Sequence, residues 1–325
     1  MTIHGQEVKT FDPDEARRYA DDWGVRVNWG RWGVNDQRGT LNEITPANVE
    51  AAARSVRAGT IVRLGAPLDP GAPAYYPQAL ETAARHEVIT TWGSNAGGGV
   101  QAASDQLHVQ CHGLDTTHMD ALCHIGLRGV GWNGQRFEQM LTEDGALVGD
   151  IDQAGPVVTR AVLVDVPRQR GIDHLEPGDR VTDRDLLAAD LDLRPGDALL
   201  VRTGRARAVA GHRRAADAEG RSSTSKYGPI AGLHPSAMRL IGDLDCSLLG
   251  TDGPGDAFPA LDAENPLPVH VLSLVHLGLH LLHNLALEEL ADALDELGRS
   301  DFMIMASPLR LPRGTGSPIA PVAVL

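Results

Sequence analysis

The sequence predicts one α/β domain over residues 1–325. Three observations carry that prediction. Ala161 to Val166 and Ala198 to Arg202 are apolar runs of strand length without an alternating polar face, as strands covered on both sides of a sheet require. Segments with helical spacing, opened by capping residues, alternate with such runs. No internal repeat and no Gly/Pro/Ser-rich linker divides the chain, so both kinds of element belong to one unit.

Asp12 to Trp23 has helical spacing and an acidic first turn. Thr45 caps the next helix, with Pro46 at its first position, and that helix runs through Arg57. Thr60 to Leu64 reads as a strand. Residues 66–100 are rich in Pro, Gly, Ala and Tyr, the composition of a loop that walls or covers a site. Leu107 to Cys111 is a short strand. Thr182 caps a helix whose apolar stripe includes Leu186 and Leu187. Residues 206–227 lack periodicity and read as an exposed excursion, with His212-Arg213-Arg214 as a solvated patch. A helix follows His234-Pro235 to Leu240, and Ser247 to Gly250 is a strand. Leu287 to Leu297 is an amphipathic helix, and Phe302 to Ala306 and Ile319 to Leu325 are closing strands.

Composition narrows the functional classes. Hydrophobic content of 42% and charged content of 22% are those of a globular protein, and with only 4% aromatics Leu, Val and Ala must build the core. A net charge of −14 argues against nucleic acid, which would be repelled. No apolar run reaches the roughly 20 residues of a membrane span, and Met1 to Pro13 does not read as a signal peptide. Cys111, Cys123 and Cys246 are too few and too odd in number for a disulfide framework, which points to reduced thiols and a cytoplasmic location. Cys123 reads as a small buried residue rather than a nucleophile. Gly97-Gly98-Gly99 lacks the Lys-Ser/Thr of a phosphate loop, and no Gly-x-Ser-x-Gly elbow is present.

The chemistry concentrates between Cys111 and His124. On an extended segment His112, His118 and Asp120 share one face, because side chains two apart point the same way. A turn would fold His124 back over them. Two imidazoles and a carboxylate suit zinc, manganese or iron, with positions left for water. A histidine at the edge of such a set can carry protons near neutrality.

Thr117-His118-Met119-Asp120 and His124 match the core of the motif His-x-Gly-Thr-His-x-Asp-x-Pro-x-His, so the chain resembles the cyclase-like metal-dependent hydrolases, the family of bacterial kynurenine formamidase and isatin hydrolase. The first motif His falls on Leu114 and the Pro position on Leu122; His112, two residues earlier, keeps the same parity. Trp32 to Asn42, Leu199 to Gly204, Leu249 to Gly253, Pro268-Val269-His270 and Gly314 to Pro318 resemble further family segments in the same order. The resemblance implies a swivelling β/β/α fold and hydrolysis of a carbonyl–nitrogen or carbonyl–oxygen bond in a cyclic amide, lactone or formamide, or the reverse ring closure. It implies a divalent metal, zinc or manganese, on His112, His118, Asp120 and His270, with His124 as the catalytic proton carrier. It also implies a small-molecule substrate and a homo-oligomer. The family's Glu position is taken by His283, one residue further along, which bears on whether one ion binds or two. Asp252 either orients a ligand imidazole or forms a turn. His276 and His280 stand four apart but lack the Glu of a zincin motif, and read as histidines on a helix face or at a subunit contact. A non-catalytic metal- or ligand-binding relative is the alternative that the shifted His and the missing Glu would support.

Overall fold

Nine strands pair into one mixed sheet that carries the site near one end. They are β1 (Ile61–Arg63), β2 (His118–Asp120), β3 (Val157–Asp165), β4 (Ala198–Arg202), β5 (Leu248–Thr251), β6 (His280–His283), β7 (Asp301–Ala306), β8 (Gly316–Pro318) and β9 (Val322–Val324). The order across the sheet is β1-β9-β7-β3-β4-β5-β6-β2-β8. Strands β3 to β6 run parallel, while β2 pairs antiparallel with both β6 and β8. This computed structural model describes residues 11–72, 82–90, 102–218, 230–261 and 263–325.

Burial explains the apolar runs. Every residue of β4, β5 and β6 is buried, and β3 is buried over most of its length. Helix α1 (Pro13–Asp22) is capped by Asp12, whose side chain accepts from the Glu15 N–H. Helix α2 (Pro46–Ser55) has the expected Thr45 cap, and the Asn48 side chain accepts in return from the Thr45 N–H. Helix α3 (Asp183–Ala188) opens with Asp185 accepting from the Thr182 N–H at 2.8 Å. Its stripe is narrower than expected, since Leu186 is buried and Leu187 is exposed.

Two expected loops contain regular structure. Ala84–Thr90 and Ser104–Val109 form an antiparallel hairpin inside and just beyond the expected wall; Tyr75, Tyr76, Gly93 and Gly97 to Gly99 lie outside the described residues. The exposed excursion begins as helix α4 (Arg205–Ala218). Its start is built by tertiary contact: Asp252 accepts from the N–H groups of Thr203, Gly204 and Arg205 at 2.8–3.1 Å, supplying acceptors to donors that a helix start leaves unpaired. Asp252 is therefore a cap, and among the described residues it makes no hydrogen bond to an imidazole.

Helix α5 (Ser236–Asp243) follows His234-Pro235, and α6 (Glu288–Glu296) follows Leu287, as the pattern predicts. Between them, Pro268–His270 starts a helical turn that widens into a π-helix over Val271–Leu277. Gly278 ends it in the left-handed conformation (φ +68°), and His280 already belongs to β6. His276 and His280 thus do not share a helix. His276 is a core residue that contacts the Ala16 and Val271 carbonyls at 2.8 and 3.2 Å. The Trp32 to Asn42 segment packs against this helix end. Gly39 lies so close to the Gly278 carbonyl that no Cβ fits between them, and the Thr40 N–H donates to that carbonyl at 2.8 Å. The Asp36 carboxylate ties the same segment together through Gly39 and Asn42.

Candidate metal centre

Strand β2 supplies the centre of the site because its period of two puts His118 and Asp120 on one face. Both are buried, Asp120 completely. Register then delivers the neighbours: in β6, Leu281 pairs with Asp120 and His283 with His118. In β8, Gly316 pairs with Asp120 and Pro318 with His118.

Asp120 is surrounded by imidazoles on both oxygens. Oδ1 lies 3.0 Å from His112 Nδ1 and 3.4 Å from His118 Nε2. Oδ2 lies 3.0 Å from His283 Nε2 and 3.6 Å from His270 Nε2. His124 completes the cluster by stacking on His112, with ring centroids 3.8 Å apart and planes within 2°. Two overlapping sets, His112–Asp120–His124 and His118–Asp120–His283, each bring ligand atoms within 4.8 Å of one another. Asp120 belongs to both.

The positions of His112 and His124 have different origins from those the spacing suggests. Residues 111–117 are irregular, so His112 does not reach Asp120 by strand parity. It arrives from the bend after the hairpin and is held through Nε2 by Thr315 Oγ1 at 3.1 Å. Gly316 makes the room: a Cβ there would stand 2.6 Å from His112 Cε1 and 2.8 Å from the Met119 carbonyl. The bend is pinned by Asn284, whose Nδ2 donates to the Gly113 and Thr116 carbonyls at 2.9 Å each. His124 does return by a turn, its N–H donating to the Ala121 carbonyl at 3.0 Å.

Two partners set the outer atoms of the ring. His118 Nδ1 faces the Thr116 carbonyl at 2.8 Å, so that nitrogen carries the proton and Nε2 keeps its lone pair. His270 Nδ1 faces Asp256 Oδ2 at 2.5 Å, and the same carboxylate accepts from the N–H groups of Val269 and His270. Asp256 thus holds the orienting place that the sequence suggested for Asp252. Gly255, at φ +82°, leaves space for His283, since a Cβ would stand 2.9 Å from its Cε1.

Electrostatics favour a cation among these groups. Burial would raise the Asp120 carboxyl, but the surrounding imidazoles outweigh it and hold it well below its ordinary value. Burial pushes His124 down to about 3 and His283 down to about 4, against the pull of Asp120. At neutral pH the site therefore gathers an ionised Asp120 and the neutral imidazoles of His124 and His283. His118 Nε2, with Nδ1 engaged by the Thr116 carbonyl, faces Asp120 Oδ1 at 3.4 Å, so a positive ion between the two would be held by both. Burial would lower His270, but its hydrogen bond to Asp256 and the charges of Asp256 and Asp120 raise it; the negative potential that favours its proton would equally favour a metal ion in the proton's place. The donor set of imidazole nitrogen and carboxylate oxygen fits a divalent transition metal.

Sequence reasoning placed His112, His118, Asp120, His124 and His270 at the site, and all five meet here. His283 was noted only as a replacement and Asp256 was missed. The period of β6 from His283 and the Asp two residues after Pro254 were the available signals, but neither specifies a partner without the strand register. Cys123 is buried and pushed up to about 12 by that burial, which disfavours a thiolate nucleophile. His280 is buried on the face of β6 opposite His283.

Fold and site define a mixed α/β protein with a buried histidine–carboxylate centre suited to a divalent cation. The chain belongs to the Cyclase family, whose model matches residues 62–256. It is 30% identical to a solved structure described as a novel cyclase, with 92% of this chain and 98% of that one covered and a TM-score of 0.81. Isatin hydrolase A from Labrenzia aggregata, solved with benzyl benzoate, is 24% identical, with coverage of 84% and 94% and a TM-score of 0.53. An isatin hydrolase bound to thioisatinate, a product analogue, is 20% identical, with coverage of 87% and 99% and a TM-score of 0.55. The last two are likenesses of fold. No curated protein matches the chain significantly. Among the described residues no helix is long and apolar enough to cross a membrane.

Proposed function

We propose that this protein is a metal-dependent hydrolase that opens a carbonyl–nitrogen or carbonyl–oxygen bond in a cyclic amide, lactone or formamide, or closes such a ring in reverse. The observation that carries the reading is the fully buried Asp120 with imidazoles converging on both of its oxygens. His118, Asp120 and His283 form the inner donor set, with His112 and His270 beside them, for zinc or manganese. A divalent ion bound there would polarise a carbonyl and acidify water. His118 and His270 present Nε2 inward because Thr116 and Asp256 hold their Nδ1 atoms. His124, neutral through burial, offers a lone pair for a proton and would return it to the leaving group. Its stacking on His112 limits both rings from being charged together.

The same reading extends to a single-domain, cytoplasmic protein that acts on a small molecule and binds neither nucleic acid nor membrane. Self-association as a homo-oligomer is supported by Val88, Ile89 and Leu107, apolar residues more than half exposed on the hairpin.

Metal content of His118→Ala and Asp120→Ala tests the centre. Each variant should lose most of the zinc or manganese retained by the parent, along with turnover of lactone, cyclic amide and formamide substrates. Full occupancy in either variant would exclude its residue from the donor set.

A further inference from the structure

His112 differs from the other imidazoles of the centre in what holds its outer nitrogen. His118 Nδ1 is held by the Thr116 carbonyl and His270 Nδ1 by the Asp256 carboxylate. Both partners are acceptors only, so each fixes the proton on the outer nitrogen and leaves Nε2, on the Asp120 side, with its lone pair. In His112 the inner nitrogen is Nδ1, 3.0 Å from Asp120 Oδ1, and the outer one is Nε2, 3.1 Å from Thr315 Oγ1. The outer partner here is a hydroxyl, which donates as well as accepts.

That hydroxyl decides the tautomer. Among the described residues Thr315 Oγ1 makes no other hydrogen bond, so its proton goes to His112 Nε2 and the imidazole proton stays on Nδ1. From there it is donated to the ionised Asp120, a charge-assisted bond. The opposite tautomer, which a ligand role for His112 needs, withdraws this donor from Asp120 and leaves the Thr315 proton without an acceptor among the described residues.

The surroundings fix both partners. The Thr315 carbonyl accepts from the Ala121 N–H at 3.0 Å, which ties this residue to the chain just beyond Asp120. One face of the His112 ring is covered by His124, with centroids 3.8 Å apart. Asp120 Oδ1 has a second lone pair, free for an ion shared with His118 Nε2 3.4 Å away.

We infer that His112 is a positioning residue and not a metal ligand: with Thr315 Oγ1 donating to its Nε2, it donates from Nδ1 to Asp120 Oδ1 and fixes the carboxylate for the ion. The imidazole that the family motif has at the position of Leu114 is then not replaced from His112. The inference rests on the metal reading above and removes one residue from its donors.

Two readouts on the full chain test it without turnover. The first is two-bond proton–nitrogen NMR of protein carrying isotope-labelled histidine, which separates protonated, bare and zinc-bound ring nitrogens; the His112 signals are those missing from His112→Ala. In the parent, His112 Nδ1 should be protonated and Nε2 bare, and neither should become zinc-bound when the His118 signals do. The second is zinc affinity, read by competition with a chromogenic chelator. His112→Ala should weaken zinc about 10- to 100-fold, as loss of an orienting partner does. His112→Asn puts an amide N–H in the place of Nδ1–H but is a poor ligand, so it should stay within about threefold of the parent. Thr315→Val should weaken zinc about threefold to tenfold and Thr315→Ser should restore it. A zinc-bound Nδ1 in the parent, or equal losses in His112→Asn and His112→Ala, would overturn the positioning role. Parental affinity in Thr315→Val would overturn the part given to Thr315. If no histidine signal responds to zinc, the metal reading fails, and the tautomer of the metal-free protein still decides: a proton on Nε2 overturns the bond to Asp120, and one on Nδ1 sustains it.

Discussion

Asp256→Asn separates an orienting carboxylate from a packing one. Asp256 is buried and accepts from Val269 N at 2.7 Å, from His270 N at 3.3 Å and from His270 Nδ1 at 2.5 Å. An asparagine of the same shape has one acceptor oxygen and one amide nitrogen, so at least one of the three donors loses its partner. Exchanging a charged hydrogen bond for a neutral or missing one costs about 1–2 kcal/mol, which sets the expected loss of stability in the metal-free protein. The second effect is on the ligand atom. Asp256 holds the proton on Nδ1 and so keeps the His270 Nε2 lone pair turned toward Asp120; without the charge the imidazole can carry its proton on either nitrogen. Loss of such an orienting partner lowers metal affinity about 10- to 100-fold, equivalent to about 1.4–2.7 kcal/mol. Urea denaturation of the metal-free protein reads the first effect and calorimetric titration with manganese the second. If the variant is destabilised but its manganese affinity stays within twofold of the parent, His270 is not in the donor set and the reasoning fails.

His112→Ala should lower metal affinity while Leu114→Ala leaves it nearly intact, as titration of both will read. Gly316→Ala should resemble His112→Ala, because its Cβ would stand 2.6 Å from the His112 ring; equal affinities in parent and His112→Ala would remove His112 from the site. His124→Asn should keep its metal but lose about a hundredfold to ten-thousandfold in rate, or roughly 3–5 kcal/mol of transition-state stabilisation; metal loss would make His124 a ligand, and a parental rate would make it a bystander. For Asp245, burial would raise the carboxyl, but hydrogen bonds from Arg31 and Arg26 outweigh it and hold it below its ordinary value. Its contribution to stability is therefore present above about pH 4, the unfolded value, and is lost as pH falls toward the lower folded value, because the unfolded chain takes up the proton first. Asp245→Asn should flatten the stability–pH curve in that acid window and leave its shape near pH 7 unchanged; an identical acid slope in both proteins would refute the assignment.

Local pattern determined much of this protein. The apolar runs that became β3 and β4, the Thr45 and Thr182 caps, and the pairing of His118 with Asp120 on one face all follow from periods and capping chemistry within a few residues. So did the prediction that metal chemistry lies between Cys111 and His124. Tertiary structure decided what distance along the chain conceals. The register of β6 against β2 brings His283 to Asp120, 163 residues away in sequence, and no local signal specifies a register between strands so far apart. His112 reaches the same carboxylate through Thr315, the space at Gly316 and the Asn284 clamp rather than through strand parity. The exchange of roles between Asp252 and Asp256 has the same physical reason. Two carboxylates four residues apart look alike in sequence, but one meets the unpaired N–H groups at the start of α4 and the other meets the His270 ring, and only the packed chain brings those partners to them.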